Sequence, residues 1–179
     1  MKTLLHGPNI VSFYDIFETG NPETPHAIVM EYAPQSMKDR REMYARMTLQ
    51  DIRFVIMEVL RALDYAHSRG IFHRDVKPSN IMIDLQGRSV RLIDWGLAEF
   101  YLPPDQKLYN TNVCTKAYKG PELLVGLRAY DYSLDIWSLG LVLAELVFKR
   151  GPLFKGTDNH EVLSLIAQQL GTSDVLKFC

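Results

Sequence analysis

Hydrophobic and polar positions alternate in three different ways along this chain. Residues 10–17 (IVSFYDIF) and 27–32 (AIVMEY) are rich in β-branched and aromatic side chains, and the turn formers of residues 18–25 (ETGNPETP) separate them. This pattern predicts a β-hairpin with a long loop. A hairpin is marginal alone in water, so it is expected to pack on something. From Thr48 to Gly70 the period changes to helical, with apolar residues at Ile52, Val55, Ile56, Val59, Leu60, Leu63 and Ala66 or His67. Thr48 is a suitable N-cap with Asp51 three residues on, and Gly70 stands where a left-handed stop belongs. Residues 80–84 and 89–94 predict short strands around a Gln86-Gly87 turn. Residues 131–148 are apolar on nearly every side, which predicts a helix buried through its length. A last helix is expected to start at Thr157 or Asp158 and to end before Gly171. The expected fold class is α+β, a small sheet followed by a helix-rich body.

Composition narrows the function classes. The 179 residues are 47% hydrophobic and 23% charged, with a formal net charge of -1. That balance excludes bulk disorder and gives no global attraction to nucleic acid or an anionic membrane. The longest apolar run, residues 139–148, is too short to span a bilayer and contains Glu145. The first residues are too weakly apolar for a signal peptide. Cys114 and Cys179 offer neither a disulfide framework nor metal-ligand spacing, so an intracellular, reducing compartment is expected.

The chemistry concentrates in residues 73–80, HRDVKPSN, a loop between a predicted helix and a predicted strand. Nineteen residues after Asp75 comes Asp94-Trp95-Gly96, at the end of the second short strand. Two carboxylates and the Asn80 carboxamide are hard oxygen donors of the kind Mg²⁺ accepts. A lysine near a carboxylate suits a phosphoryl group in transit, and a carboxylate outside the metal shell can take a proton from an attacking hydroxyl. Phosphoryl transfer asks mainly for positioning and charge neutralisation. The bland readings of single residues remain beside this one. His73 reads as structural, Trp137 as a core aromatic, Trp95 as a packing residue that helps fix Asp94, and Cys114 as inert.

With these motifs on the page, the chain resembles eukaryotic protein kinases over essentially its whole length, most closely the casein kinase II branch of catalytic (alpha) subunits. The general signals are His73-Arg74-Asp75, Lys77, Asn80, Asp94, Gly96, Pro121-Glu122 and Asp135. The particular ones are Trp95 in place of the usual Phe, residues 96–101 (GLAEFY), 119–125 (KGPELLV) and 130–135 (YDYSLD). The resemblance implies a partial protein-kinase-like fold: residues 1–33 a small-lobe hairpin and hinge, residues 34–179 most of the helical large lobe. It implies ATP and Mg²⁺ as cofactors and transfer of the γ-phosphoryl group to Ser or Thr near acidic residues. By the same resemblance Asp75 is the catalytic base, Lys77 neutralises the phosphoryl group, and Thr115 hydrogen-bonds toward both. Asn80 and Asp94 hold metal. Met30, Glu31 and Ala33 form the gatekeeper and adenine hinge, and Met82 and Ile93 line the nucleotide pocket. Arg74, Lys116 and Lys119 face acidic substrate residues, with Asn112 standing where the family has a third basic residue. Asp135 ties its helix to the catalytic loop. Partners implied are acidic protein substrates and a regulatory, beta-type subunit, with no nucleic acid or membrane, in the cytoplasm or nucleus.

The resemblance also has gaps. None of the eleven glycines forms a Gly-x-Gly pair, so the phosphate-covering loop of the family is absent. So are the strand lysine for the α/β-phosphates, the basic lysine cluster and the arginine that usually pairs with Glu122. Little or no turnover by this chain alone is therefore expected. The alternative function is a non-catalytic kinase relative acting as a binding module. A small-molecule phosphotransferase is the poorest reading, because residues 119–125 resemble a peptide-docking platform.

Overall fold

The computed structural model describes residues 2–24, 26–32 and 37–171. Two strands, β1 (Phe13–Glu18) and β2 (His26–Met30), pair antiparallel as a hairpin. Helix α1 (Met37–Arg46) follows, then the long helix α2 (Leu49–His67). The two-residue strand β3 (Ile71–Phe72) leads into the loop of interest, and β4 (Ile81–Asp84) pairs antiparallel with β5 (Ser89–Leu92). Strand β6 (Glu99–Phe100) returns to pair with β3. Three helices complete the body: α3 (Pro121–Leu124), α4 (Ser133–Phe148) and α5 (Asn159–Leu170). The architecture is α+β, a β-hairpin followed by a helical body, as the patterning predicts.

Helix α2 is the axis of that body. Thr48 caps it with a complete capping box: its hydroxyl accepts the Asp51 N–H while the Asp51 side chain takes the Thr48 N–H. Ile52, Val55, Val59, Ala62, Leu63 and Ala66 form the buried face, packed against α4 and β5. The helix ends at His67, three residues before Gly70. Gly70 instead closes the following turn at φ +73°, a left-handed value that favours glycine. Its carbonyl accepts the Tyr101 N–H at 2.7 Å, which extends the β3–β6 pairing.

Two expectations about burial are corrected. The hairpin does not pack its faces on the described residues: Tyr14, Ile16, Phe17, Ile28 and Val29 are all exposed. It is anchored from its base, where Ile10 bridges to Leu92 and the Val11 N–H donates to the Leu92 carbonyl at 3.1 Å. Helix α4 is buried on one side only. Leu134, Asp135, Ser138, Leu139, Val142 and Leu146 face inward, while Ile136, Val147 and Phe148 are exposed. The cause is geometric: α2 and the short turn Lys116–Tyr118 meet one face of α4, while Ile136, Leu143 and Val147 lie exposed on the opposite one.

Candidate active site

Asp135, fully buried near the start of α4, organises the loop after β3. One carboxylate oxygen accepts the His73 N–H at 2.7 Å and the other the Arg74 N–H at 2.8 Å. His67, at the end of α2, adds an Nε2 contact at 2.8 Å to the first oxygen. A buried carboxylate is tolerated only with such donors. Their effect is to fix the loop backbone just before Asp75, as expected for Asp135. Arg74 sits at φ +66°, a left-handed conformation that costs a non-glycine residue on the order of 1 kcal/mol or more.

His73 links that loop to the next strand. Its Nδ1 accepts the Asp75 N–H at 3.2 Å and its Nε2 meets the Ile93 carbonyl at 2.9 Å. The two partners assign the neutral Nε2–H tautomer. Burial lowers the pKa of this ring and outweighs the pull of Asp135, which keeps it neutral. The Ile93 N–H in turn donates to the Asn80 carbonyl at 2.9 Å, so the residue before Asp94 is tied to the end of the loop. Trp95 packs its ring 4.6 Å from His73 and donates from Nε1 to the Leu92 carbonyl at 3.2 Å. Asp94 lies between these anchors at φ +58°, exposed, with its carboxylate near the Gly96 N–H.

Three residues converge on the Asp75 carboxylate. Oδ1 accepts the Thr115 N–H at 3.0 Å and the Thr115 hydroxyl at 2.9 Å. Oδ2 meets Lys77 Nζ at 2.7 Å and Asn80 Nδ2 at 3.2 Å. Lys77 Nζ also donates to the Thr115 hydroxyl at 2.8 Å, and Asn80 Nδ2 to the Asp75 carbonyl at 2.9 Å. With its NH₂ spent on Asp75, Asn80 keeps its carbonyl oxygen to offer a cation. Together with the Asp94 carboxylate this makes a set of few, hard, oxygen donors, which fits Mg²⁺ with its waters and phosphates. Among the described residues no cluster of three or more His, Cys, Asp or Glu could hold a metal alone.

A family model described as "Protein kinase domain" matches residues 1–177. The chain belongs to the protein kinase domain family. The hairpin and helical body are thus those of a protein-kinase-like fold. No described helix of this kinase domain is long and apolar enough to cross a membrane.

Other expected site residues fall as follows. Glu31 N–H donates to the Ser12 carbonyl at 2.8 Å, and its carboxylate takes the Ser12 N–H and hydroxyl and lies 3.2 Å from Arg91 Nε. Burial pulls the Glu31 carboxyl upward, but Ser12 and Arg91 outweigh it and hold the group below its ordinary range. Arg91 pairs in register with Met82, so this ion pair draws the exit of β2 to the β4–β5 ribbon. Met82 is buried, Ile93 half-buried and Met30 exposed; Ala33 lies outside the described residues.

The three basic residues expected to face substrate divide. Arg74 is turned inward, donating to the Leu97 carbonyl at 2.6 Å and the Tyr130 hydroxyl at 3.3 Å, with Glu99 3.8 Å away. Lys119 is buried too and donates to the Thr111 carbonyl at 3.1 Å, and burial lowers its pKa. Both placements differ from a substrate-facing one, because carbonyls inside the fold need donors. Lys116 alone is exposed, with its ammonium on the Thr157 carbonyl. Cys114 holds φ +64° beside Thr115, and burial pushes its thiol up to about 12, which leaves it unreactive. Sequence reasoning missed His67 as a partner of Asp135 and Glu99 and Tyr130 as partners of Arg74. Nothing local marks these long-range pairings.

Proposed function

We propose that this kinase domain is of the serine/threonine class and of casein kinase II alpha type, moving the γ-phosphoryl group of ATP to Ser or Thr near acidic residues. The observation that carries the reading is the Asp75 constellation, in which Thr115, Lys77 and Asn80 hold one carboxylate at fixed angles. Mg-ATP supplies the transferable phosphoryl group and the charge neutralisation of its oxygens. Asp75 orients the acceptor hydroxyl and takes its proton on a carboxylate oxygen. Lys77 places positive charge beside that oxygen, and Thr115 fixes the carboxylate plane. Asn80 and Asp94 offer oxygens to Mg²⁺. Met30, Glu31, Ala33, Met82 and Ile93 border the nucleotide, with residues 1–33 the small-lobe part and residues 34–179 the large-lobe part. Lys116 is the exposed cation for acidic substrate residues. Arg74 and Lys119 support the surrounding segment from within. A beta-type regulatory subunit is the partner of this reading.

One observation favours a second reading. No Gly-x-Gly pair occurs among the eleven glycines, so no residue of this chain forms the family's phosphate-covering loop. On that reading the chain binds protein partners without turnover. Transfer of label from γ-labelled ATP to an acidic Ser peptide, with Asp75→Asn as control, separates the two. Asp75-dependent transfer supports the enzyme. Peptide binding with no transfer above the Asp75→Asn background supports the binding module.

A further inference from the structure

Three side chains form a clasp where the hairpin meets the body. Ser12 is exposed and follows Ile10 and Val11, which are buried and held on Leu92. Its backbone N–H and its hydroxyl both donate to Glu31 Oε2, at 3.1 and 3.0 Å. The Glu31 N–H returns the contact to the Ser12 carbonyl at 2.8 Å. Arg91 Nε lies 3.2 Å from each Glu31 oxygen, while its Nη1 donates to the Ser89 hydroxyl and the Val90 carbonyl at 3.0 Å. Ser12 and Arg91 therefore meet on the same oxygen, Oε2.

The segment after Ser12 is acidic and open. Asp15, three positions on, and Glu18, six on, are exposed, and among the described residues neither is ion-paired. Strand β1 is exposed along most of its length, so it can leave the hairpin at little cost in buried apolar area. Thr48 has the same spacing to an acid, Asp51, but there the hydroxyl and the acid cap α2, whose inner face lies in the core. Ser12 is the accessible member of the pair. A phosphoserine carries a charge of about -1.5 to -2 near neutral pH and has no hydroxyl donor. At Ser12 it takes a donor from Glu31 and sets a like charge beside that carboxylate. The planar fork of Arg91 suits phosphate, which it can grip through two charge-assisted hydrogen bonds.

We propose that Ser12 is a phosphorylation site for an acid-directed protein kinase, and that the phosphate takes Arg91 from Glu31 and opens the clasp. In the transfer, Ser12 Oγ attacks the γ-phosphorus of ATP held by the modifying kinase. The Oγ–P bond forms as the bond from phosphorus to the β,γ-bridging oxygen breaks. ADP leaves, and the serine proton passes to a base of that kinase and then to solvent. The site needs no turnover by this chain, so it stands apart from the enzyme reading above. Its consequence is local. The exit of β2 loses its tie to the β4–β5 ribbon, while the bridge from Ile10 to Leu92 stays.

The test incubates the full chain with γ-labelled ATP and the complete casein kinase II alpha subunit, beside a blank without that enzyme. Mass spectrometry of the digest should place the label on Ser12 and not on Thr48. Ser12→Ala should remove most of the label, and Ser12→Thr, which keeps a hydroxyl, should retain it. Asp15→Asn should lower the labelling about threefold or more. Hydrogen exchange then reads the clasp. Amides of residues 28–31 should exchange about tenfold or more faster in the phosphorylated chain, while those of residues 52–66 in α2 stay unchanged. Arg91→Gln should open the same amides without phosphate, and phosphorylation should then add little. No label on Ser12, or labelling that ignores Asp15, overturns the site. Label on Ser12 with unchanged exchange at residues 28–31 overturns the opening of the clasp.

Discussion

Thr115 gives two hydrogen bonds to one oxygen of Asp75, from its backbone N–H at 3.0 Å and its hydroxyl at 2.9 Å. The residues lie forty positions apart, so this contact joins the loop after β3 to the segment leading into α3. The same hydroxyl accepts from Lys77 at 2.8 Å, which makes Thr115 the hinge of a three-residue network. Thr115→Ala removes the hydroxyl and keeps the N–H. It is expected to lower kcat about 10- to 100-fold by loosening the Asp75 carboxylate, with KM for ATP little changed. Thr115→Ser should recover most of the loss. Steady-state kinetics on the three proteins, each joined to a complete kinase small lobe so that turnover is measurable, checks this.

Asp135 carries a structural prediction. It is fully buried and satisfies two loop N–H groups and His67. Asp135→Ala leaves those donors without a partner and is expected to destabilise the fold by about 3–5 kcal/mol, measured by urea unfolding. Asp135→Asn keeps the volume but turns an NH₂ toward donors, so it should recover only part of that.

How far the sequence carries the account varies by element. Helix α2 was legible in its period and its Thr48–Asp51 box, while Gly70, expected as its stop, closes the turn after it instead. Strands β4 and β5 were legible from their short apolar runs. Helix α1 was not, since its segment is mostly polar and charged and shows no apolar stripe. Strands β3 and β6 are two residues each, too short for any periodicity to register. The loop motif pointed to Asp75, Lys77 and Asn80 as neighbours, and Thr115 beside them was implied only by the kinase resemblance. The inward turn of Arg74 and Lys119 was invisible, because it depends on carbonyls at Leu97 and Thr111 that only the folded chain brings near.

Glu122 gives a pH prediction. It is 7% exposed, and no cation pairs with it among the described residues. Its carboxylate lies so close to Gly120 that a Cβ there would come within 2.3 Å of Oε1. Burial raises its pKa above the ordinary 4.5, and the charge of Asp131 adds to the rise against its own backbone N–H. A raised carboxyl pKa means that the folded state holds the proton more tightly than the unfolded one. Its stability contribution is therefore greatest below about pH 4.5 and is lost as pH rises through the folded value. Glu122→Gln removes this dependence. The variant should melt higher than wild type at pH 8, and the gap should narrow toward pH 4. Thermal melts across that range decide it; a variant that melts lower at pH 8 would show that Glu122 is stabilising as an anion.

The central claim is a division of labour, with Asp94 on the metal side and Asp75 on the acceptor side. The most direct measurement is binding of Mn²⁺, as a paramagnetic stand-in for Mg²⁺, to the chain in the presence of ATP, compared across wild type, Asp94→Asn and Asp75→Asn. The account predicts metal-dependent nucleotide binding that falls about tenfold or more in Asp94→Asn and stays within about twofold of wild type in Asp75→Asn. Equal losses in the two variants, or no metal-dependent binding by the wild type, would contradict it.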